Sequence, residues 1–154
     1  MKQGPEIKGN PLKISVYLLI ICYFLGEFVI PKYTLIYVIN LFGILSLIIS
    51  IIIFCLGFNI FNVYKENPLP KTSSIKLIKT GIFSYTRNPI YLSFVLFHFS
   101  MFLIFENVMY LITSIGLAVW IHNFVIKYEE KYLLSKFDKE YERYKLAVSR
   151  WIFL

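Results

Sequence analysis

The charged residues of this chain do not scatter. They collect between long apolar runs, and that arrangement limits what the chain can fold into. Residues 12–30, 34–61, 89–105 and 108–126 are nearly free of charge. A hydrocarbon layer about 30 Å thick takes roughly 20 apolar residues of helix to cross. Of 154 residues, 58% are hydrophobic and only 16% charged, whereas soluble domains carry about 25% charged residues. The pattern predicts an all-α, polytopic membrane protein, a single membrane domain over 1–154 with four transmembrane helices at those positions. The third run is the shortest, so it should start at the interface and stand nearly upright.

The formal charge of +7 would suit nucleic acid if it formed one patch. Instead the basic residues alternate with the spans. Lys2, Lys8 and Lys13 precede the first, Lys65, Lys71, Lys76, Lys79 and Arg87 lie between the second and third, and Lys127 to Arg150 follow the fourth. Of the 16 basic residues only Lys32 falls on the other side. Loops rich in Lys and Arg stay cytoplasmic, so both termini are expected inside, with the excess charge facing anionic headgroups. This makes membrane lipids a partner and excludes nucleic acid. The N-terminal run is too long for a secretory signal, and Phe28-Val29-Ile30-Pro31 offers no small-residue cleavage site. Cys22 and Cys55 stand alone inside the first two runs, with no metal-binding spacing, and read as packing residues.

Between the spans, residues 1–11 read as an irregular lead-in, Ile30-Pro31-Lys32 as a short outside turn and Glu106-Asn107 as an outside hairpin. The second span overruns the bilayer and is expected to fray at Asn59, Asn62 and Tyr64. Beyond residue 126, Leu133, Phe137, Tyr141, Tyr144 and Val148 step by 4, 4, 3 and 4, one face of a helix. Lys131, Asp138, Lys139, Glu142 and Lys145 take the other face. Such a basic amphipathic helix is expected to lie at the cytoplasmic interface.

Two clusters carry chemistry. In Thr86-Arg87-Asn88-Pro89, proline suits a first helical position and asparagine is a strong cap, so a helix should begin at Pro89. Its N-terminus favours an anion, and Arg87 adds a guanidinium fork for carboxylate or phosphate. The same residues also satisfy the basic bias and simply start a helix, which leaves both readings open. Glu129-Glu130, at the end of span four, places two carboxylates where charge is costly without a partner. Arg87 or a bound cation would serve. Of the polar residues within the spans, His122 shares a face with Glu129 on an uninterrupted helix, and His98 reads as a packed, hydrogen-bonded histidine. Together one membrane face holds an Arg, a helix N-terminus, two carboxylates and many Tyr, enough for a zwitterion carrying a further cation.

These segments resemble a known family. Gly81-Ile82-Phe83, Arg87-Asn88-Pro89-Ile90-Tyr91, Glu129-Glu130-Lys131-Tyr132-Leu133 and Phe137-Asp138-Lys139-Glu140-Tyr141-Glu142-Arg143-Tyr144 stand in the order and spacing of the isoprenylcysteine carboxyl methyltransferase and phospholipid N-methyltransferase superfamily, over residues 77–151. The resemblance implies a cofactor-binding half at 77–151 and S-adenosylmethionine at the cytoplasmic face. It implies binding by Gly81, Tyr85, Arg87, Asn88, Pro89, Tyr91, Leu92, Glu129, Glu130 and Leu133, with Arg87 and Glu130 catalytic and no metal. The acceptor would be a lipophilic small molecule or a lipid-modified one, and the membrane a cell inner membrane or the endoplasmic reticulum. Ser93 and Asp138 stand where the family usually has glycine, and Ser149 where proline often precedes Arg150. Steroid-reductase-like NADPH enzymes resemble the same half, and a non-catalytic accessory subunit would keep the fold; the residues leave the acceptor atom and oligomeric state open.

Overall fold

Asn10 opens the first helix. Its side-chain oxygen accepts from the N–H groups of Leu12 (3.0 Å) and Lys13 (3.3 Å) while Pro11 takes the first turn, so few of the donors that every helix start leaves over go unpaired. The computed structural model describes residues 4–30, 37–69 and 72–152. In these, α1 (Pro11–Phe28) is followed by α2 (Tyr37–Tyr64), a 3₁₀ turn (Gly81–Ser84), α3 (Pro89–Phe105), α4 (Val108–Ile121), a π-helical turn (His122–Ile126) and α5 (Lys127–Ala147). The described residues contain no strand, in keeping with the all-α expectation. Two rods are long and apolar enough to cross a membrane, Tyr37–Tyr64 and the continuous Val108–Ala147; α1 and α3 supply shorter apolar helices. The outside turn expected at Ile30-Pro31-Lys32 lies mostly outside the described residues, as do Lys2 and Lys71.

Close approach between α2 and α3 rests on small residues. Gly43, Ser50 and Gly57 recur every seven positions and are the buried residues of α2. A Cβ at Gly43 would stand 2.8 Å from that of Leu103, and one at Gly57 would stand 3.0 Å from Ile90 Cγ1. Lipid tails are as apolar as the helices, so such contacts hold membrane helices together by packing rather than by hydrophobic burial. The fraying expected at Asn59 and Asn62 does not occur: α2 stays helical to Tyr64, whose hydroxyl meets Thr80 Oγ1 at 2.8 Å, and Lys65 (φ 54°) ends it.

The interior of α1, α3 and α4 is tied by one polar knot. His98 is fully buried and hydrogen-bonds Ser15 Oγ (3.0 Å) from α1 and Thr113 Oγ1 (3.1 Å) from α4. Cys22 Sγ completes it at 3.3 Å from Thr113 Oγ1. This is the packed histidine expected from the sequence, since a buried imidazole is costly unless both nitrogens find partners. The hairpin at Glu106-Asn107 also forms: Glu106 takes φ 56° and Asn107 caps α4 by accepting from the Met109 N–H (2.9 Å).

Two departures place the functional face. The N-terminal lead-in is irregular but docked, with Ile7 buried against Leu117, Ile121, Val125 and Ile126 and the Lys8 N–H donating to Phe124 O (3.3 Å). The aromatic face of α5 turns into the protein rather than towards lipid. Tyr141 and Tyr144 are buried, and the Tyr144 hydroxyl donates to Phe83 O (2.7 Å).

Between those faces α5 is kinked at Asp138, which adopts φ 44°, ψ −122°. Only glycine occupies that region without strain, which accounts for the glycine the family pattern has here. The Asp138 side chain is exposed and makes no hydrogen bond among the described residues, so nothing local offsets a strain of about 1–3 kcal/mol. Asp138→Gly should therefore raise the melting temperature in detergent, by about 2–4 °C for each kcal/mol relieved. Asp138→Ala should not, because a Cβ remains; equal melting points for the two variants would remove the strain argument.

Candidate functional site

The loop before α3 and the start of α5 enclose a pocket of about 970 Å³, its open mouth included. Of the residues expected at a site, Arg87, Asn88, Pro89, Tyr91, Glu129, Glu130 and Leu133 line it. Gly81, Tyr85 and Leu92 do not. Gly81 (φ 59°) opens the 3₁₀ turn, Tyr85 is 75% exposed, and Leu92 sits about 100° round the helix from Tyr91. Ser93 is also outside the lining and donates to Ile90 O (2.6 Å), so it does not narrow the pocket.

Arg87 is positioned by its backbone. Its N–H donates to Ser149 O (3.0 Å), while Thr86 Oγ1 (3.2 Å) and Asn88 Nδ2 (2.9 Å) both donate to Arg150 O. The expected side-chain cap at Asn88, in which Oδ1 would accept from an N–H of the first turn, is not made. Its amide is spent on the C-terminal segment, and α3 starts at Pro89 with no side chain on its first N–H groups. The Leu92 N–H is taken by Asn88 O (3.0 Å), and the positive end of the helix, at the pocket-lining Pro89, Ile90 and Tyr91, has no side-chain cap.

Glu130 lies between two guanidiniums. Arg87 Nη2 reaches Oε1 at 3.1 Å, and Arg150 grips the carboxylate with both prongs, Nε to Oε1 (2.9 Å) and Nη2 to Oε2 (2.6 Å). The forked Arg150 contact is the stronger geometry. Arg87 is 7% exposed in its side chain, and its Nε and Nη1 are buried with no hydrogen-bond partner among the described residues. Unpaired buried donors on a cation are costly, so this side of the pocket is prepared for an anion.

Glu129 faces the same space from one residue earlier. The Tyr91 hydroxyl donates to its Oε1 at 2.6 Å. Burial pushes the carboxyl up to about 8; the Tyr91 hydrogen bond opposes this and the neighbouring Glu130 adds to it. Near neutrality Glu129 is mostly uncharged, and a cation brought beside it would draw it into the ionised form. Burial likewise pushes the Tyr141 phenol above its ordinary value, leaving it a neutral group beside Arg87. One pocket thus offers unpaired donors for an anion, a carboxyl ready to ionise for a cation, and aromatic faces from Tyr91, Phe61 and Phe83.

The sequence pattern did not expose Arg150, because it lies 20 residues from Glu130, past the end of α5. Tyr141 and Tyr144 were visible as part of an apolar stripe but not as pocket walls. The helical phase also differs from expectation. An uninterrupted helix would set Glu129 on the face of His122, but the π turn absorbs an extra residue. As a result Glu130, not Glu129, shares Arg150 with His122, whose Nε2 lies 3.2 Å from Arg150 Nη1. Ser149, where proline is usual, leaves the Arg87 backbone contact intact.

A family model described as phospholipid methyltransferase matches residues 33–140. The protein-S-isoprenylcysteine O-methyltransferase of Saccharomyces cerevisiae is 36% identical over 78 residues, covering 51% of this chain and 33% of that protein. The chain thus spans about a third of the length of this curated relative. No solved structure matches the chain. The family match takes in α2, α3, α4 and the Arg87, Glu129 and Glu130 positions, and includes α2, which is long and apolar enough for a bilayer; the chain belongs to the phospholipid methyltransferase family of integral membrane methyltransferases.

Proposed function

We propose that this protein is an S-adenosylmethionine-dependent methyltransferase that modifies a lipophilic acceptor delivered from the bilayer, in the manner of isoprenylcysteine carboxyl methylation. The observation that carries the reading is Arg87, with two buried donors unpaired beside an uncapped helix N-terminus and across from Glu129. An amino-acid carboxylate fits the Arg87 side, an ammonium fits Glu129, and a sulfonium fits the aromatic walls. When bound, the cofactor would supply a methyl group whose in-line transfer discharges the sulfonium. The chain's own part is to position and to exclude water. Arg87 and the α3 N-terminus orient the anionic end, Glu129 and Tyr91 hold the cationic end, and Glu130 with Arg150 keeps Arg87 in place.

Topology completes the proposal. Helices α1, α2, α3 and the α4 rod through residue 126 would be four spans, with both termini and the pocket cytoplasmic. At 1.5 Å per residue the 17 residues of α3 span about 26 Å, enough for an upright helix whose N-terminus lies at the headgroup level. A lipophilic acceptor would then enter sideways from the bilayer and the cofactor from the aqueous side. The membrane would be a cell inner membrane or the endoplasmic reticulum. An NADPH-dependent reductase or an accessory subunit is separated from this reading by which cofactor binds.

Calorimetric titration of detergent-purified protein with S-adenosylmethionine should give saturable binding, and NADPH should give none. Arg87→Ala should weaken the first by roughly ten- to a hundredfold, the loss of charge-assisted hydrogen bonds. It should leave the fold intact, because Glu130 keeps its two-pronged contact with Arg150. Unchanged affinity in Arg87→Ala would place the cofactor elsewhere. Glu130→Ala is a poorer probe, since it sets two guanidiniums face to face and should destabilise by about 3 kcal/mol or more.

Glu129 gives a pH signature. Its carboxyl ionises near the ordinary carboxylate value of 4.5 when unfolded but at about 8 when folded. Between these values the folded state holds the extra proton, so stability should fall as pH rises from about 5 to 8. Glu129→Gln should flatten that part of the melting-temperature profile. An identical slope in the variant would mean that some other group titrates there.

A further inference from the structure

Beside the pocket, on the outer flank of α5, three side chains form a cluster that the methyltransferase reading leaves without a task. Their hydrogen bonds can be counted atom by atom. The Tyr132 oxygen accepts from the Ser74 N–H (3.2 Å) and from Lys136 Nζ (3.2 Å), and its hydroxyl donates to Ser73 Oγ (3.3 Å). Ser73 Oγ accepts a second time, from Lys136 Nζ (3.1 Å). Tyr132 is thereby saturated. Ser73 has filled both acceptor positions and keeps a free O–H, and Lys136 has used two of its three N–H groups. The surplus is two donors and one positive charge.

Among the described residues no carboxylate pairs with Lys136. Glu66, which shares the pocket lining with Ser74 and Tyr132, is already committed to the N–H groups of Ile75 (3.0 Å) and Lys76 (2.6 Å). Lys76, a second cation without an acidic partner among the described residues, lines the same pocket together with Ser74 and Tyr132. The electrostatics agree. Burial pushes the Tyr132 phenol up, but Ser73 and Lys136 more than reverse this and leave it below its ordinary value. A group that lowers the cost of negative charge on a phenol does the same for a visiting oxyanion.

We propose that Ser73, Tyr132 and Lys136 form an oxyanion site at the edge of the pocket, distinct from the Arg87 and Glu130 pair, which takes a phosphate group borne by a lipid headgroup or free in solution. Ser73 O–H and the third Lys136 N–H are its donors, Tyr132 fixes both of them, and Lys76 supplies further charge. Tyr132 follows Glu129 by three residues, about 4.5 Å along the helix axis, so an anion held here borders the cofactor pocket without filling it. The assignment of that anion to the methyl acceptor rests on the methyltransferase reading; the site itself does not.

Separate titrations in maltoside micelles decide the matter. Wild-type protein is titrated with inorganic phosphate, and with a short-chain phosphatidic acid against a diacylglycerol of the same chain length. S-adenosylmethionine is titrated in parallel. The expected result is binding of a phosphate-bearing probe but not of diacylglycerol, weakened roughly ten- to a hundredfold by Lys136→Gln and less by Ser73→Ala, with S-adenosylmethionine affinity unchanged. Binding of the lipid alone identifies a headgroup site, binding of inorganic phosphate alone a solution anion. No binding of either, or equal binding by both variants, overturns the proposal. So does a parallel fall in S-adenosylmethionine affinity, which would make the cluster part of the cofactor site. If wild-type protein binds phosphate but not S-adenosylmethionine, the site stands and the methyltransferase reading fails. Circular dichroism checks each variant's fold, and Ser73→Ala, at an exposed position, decides if Lys136→Gln does not fold.

Discussion

Glu130 is the joint on which the site depends. Its carboxylate is held at once by Arg87, from the loop before α3, and by Arg150, from the segment after α5. Three stretches far apart in sequence meet on that one group. The backbone repeats the bond: Ser149 O takes the Arg87 N–H, and Arg150 O takes Thr86 and Asn88. The arrangement carries one cation more than it has anions. That surplus falls on Arg87, whose Nε and Nη1 find no hydrogen-bond partner among the described residues. A buried pair of this kind is weak evidence for stability but good evidence for positioning.

The rest of the fold serves to bring those segments together at one end of a helix bundle. Small residues along α2 allow α3 to approach, and the His98 knot fixes α1, α3 and α4 in depth. None of these residues lines the pocket, though Gly57 packs behind Pro89 and Ile90, which do. Both features decide where Pro89 and Tyr91 stand relative to Glu129. The π turn then rotates the start of α5, so that Glu129 meets Tyr91 and Glu130 meets Arg150. Such insertions recur at functional sites because they change which residues face inward without breaking the helix.

Asp138 shows how a sequence can depart from a local rule while the structure keeps it. Beyond the kink Tyr141 and Tyr144 are buried, and Tyr144 closes on the loop at Phe83. With aspartate in place of glycine, the backbone takes the same conformation under strain, and tertiary contacts on either side must hold it there.

The sequence by itself determined the helical class, the positions of the apolar helices, the proline start of α3, the hairpin at Glu106-Asn107 and the packed state of His98. Each follows from short-range chemistry: apolar length against a bilayer, a missing N–H, a left-handed turn, a polar ring with no water. The ordered motifs also marked Arg87, Glu129 and Glu130 as companions. Only the tertiary structure decided that Asn88 gives its amide to Arg150 rather than to the helix, that Tyr85 and Leu92 face away, and that Arg150 shares Glu130. Helical period cannot foresee a π turn, and no spacing rule links a carboxylate to an arginine beyond the end of its helix. Those partners are chosen by how the segments pack, because each buried charge takes the best-placed opposite charge in space and not the nearest one in sequence.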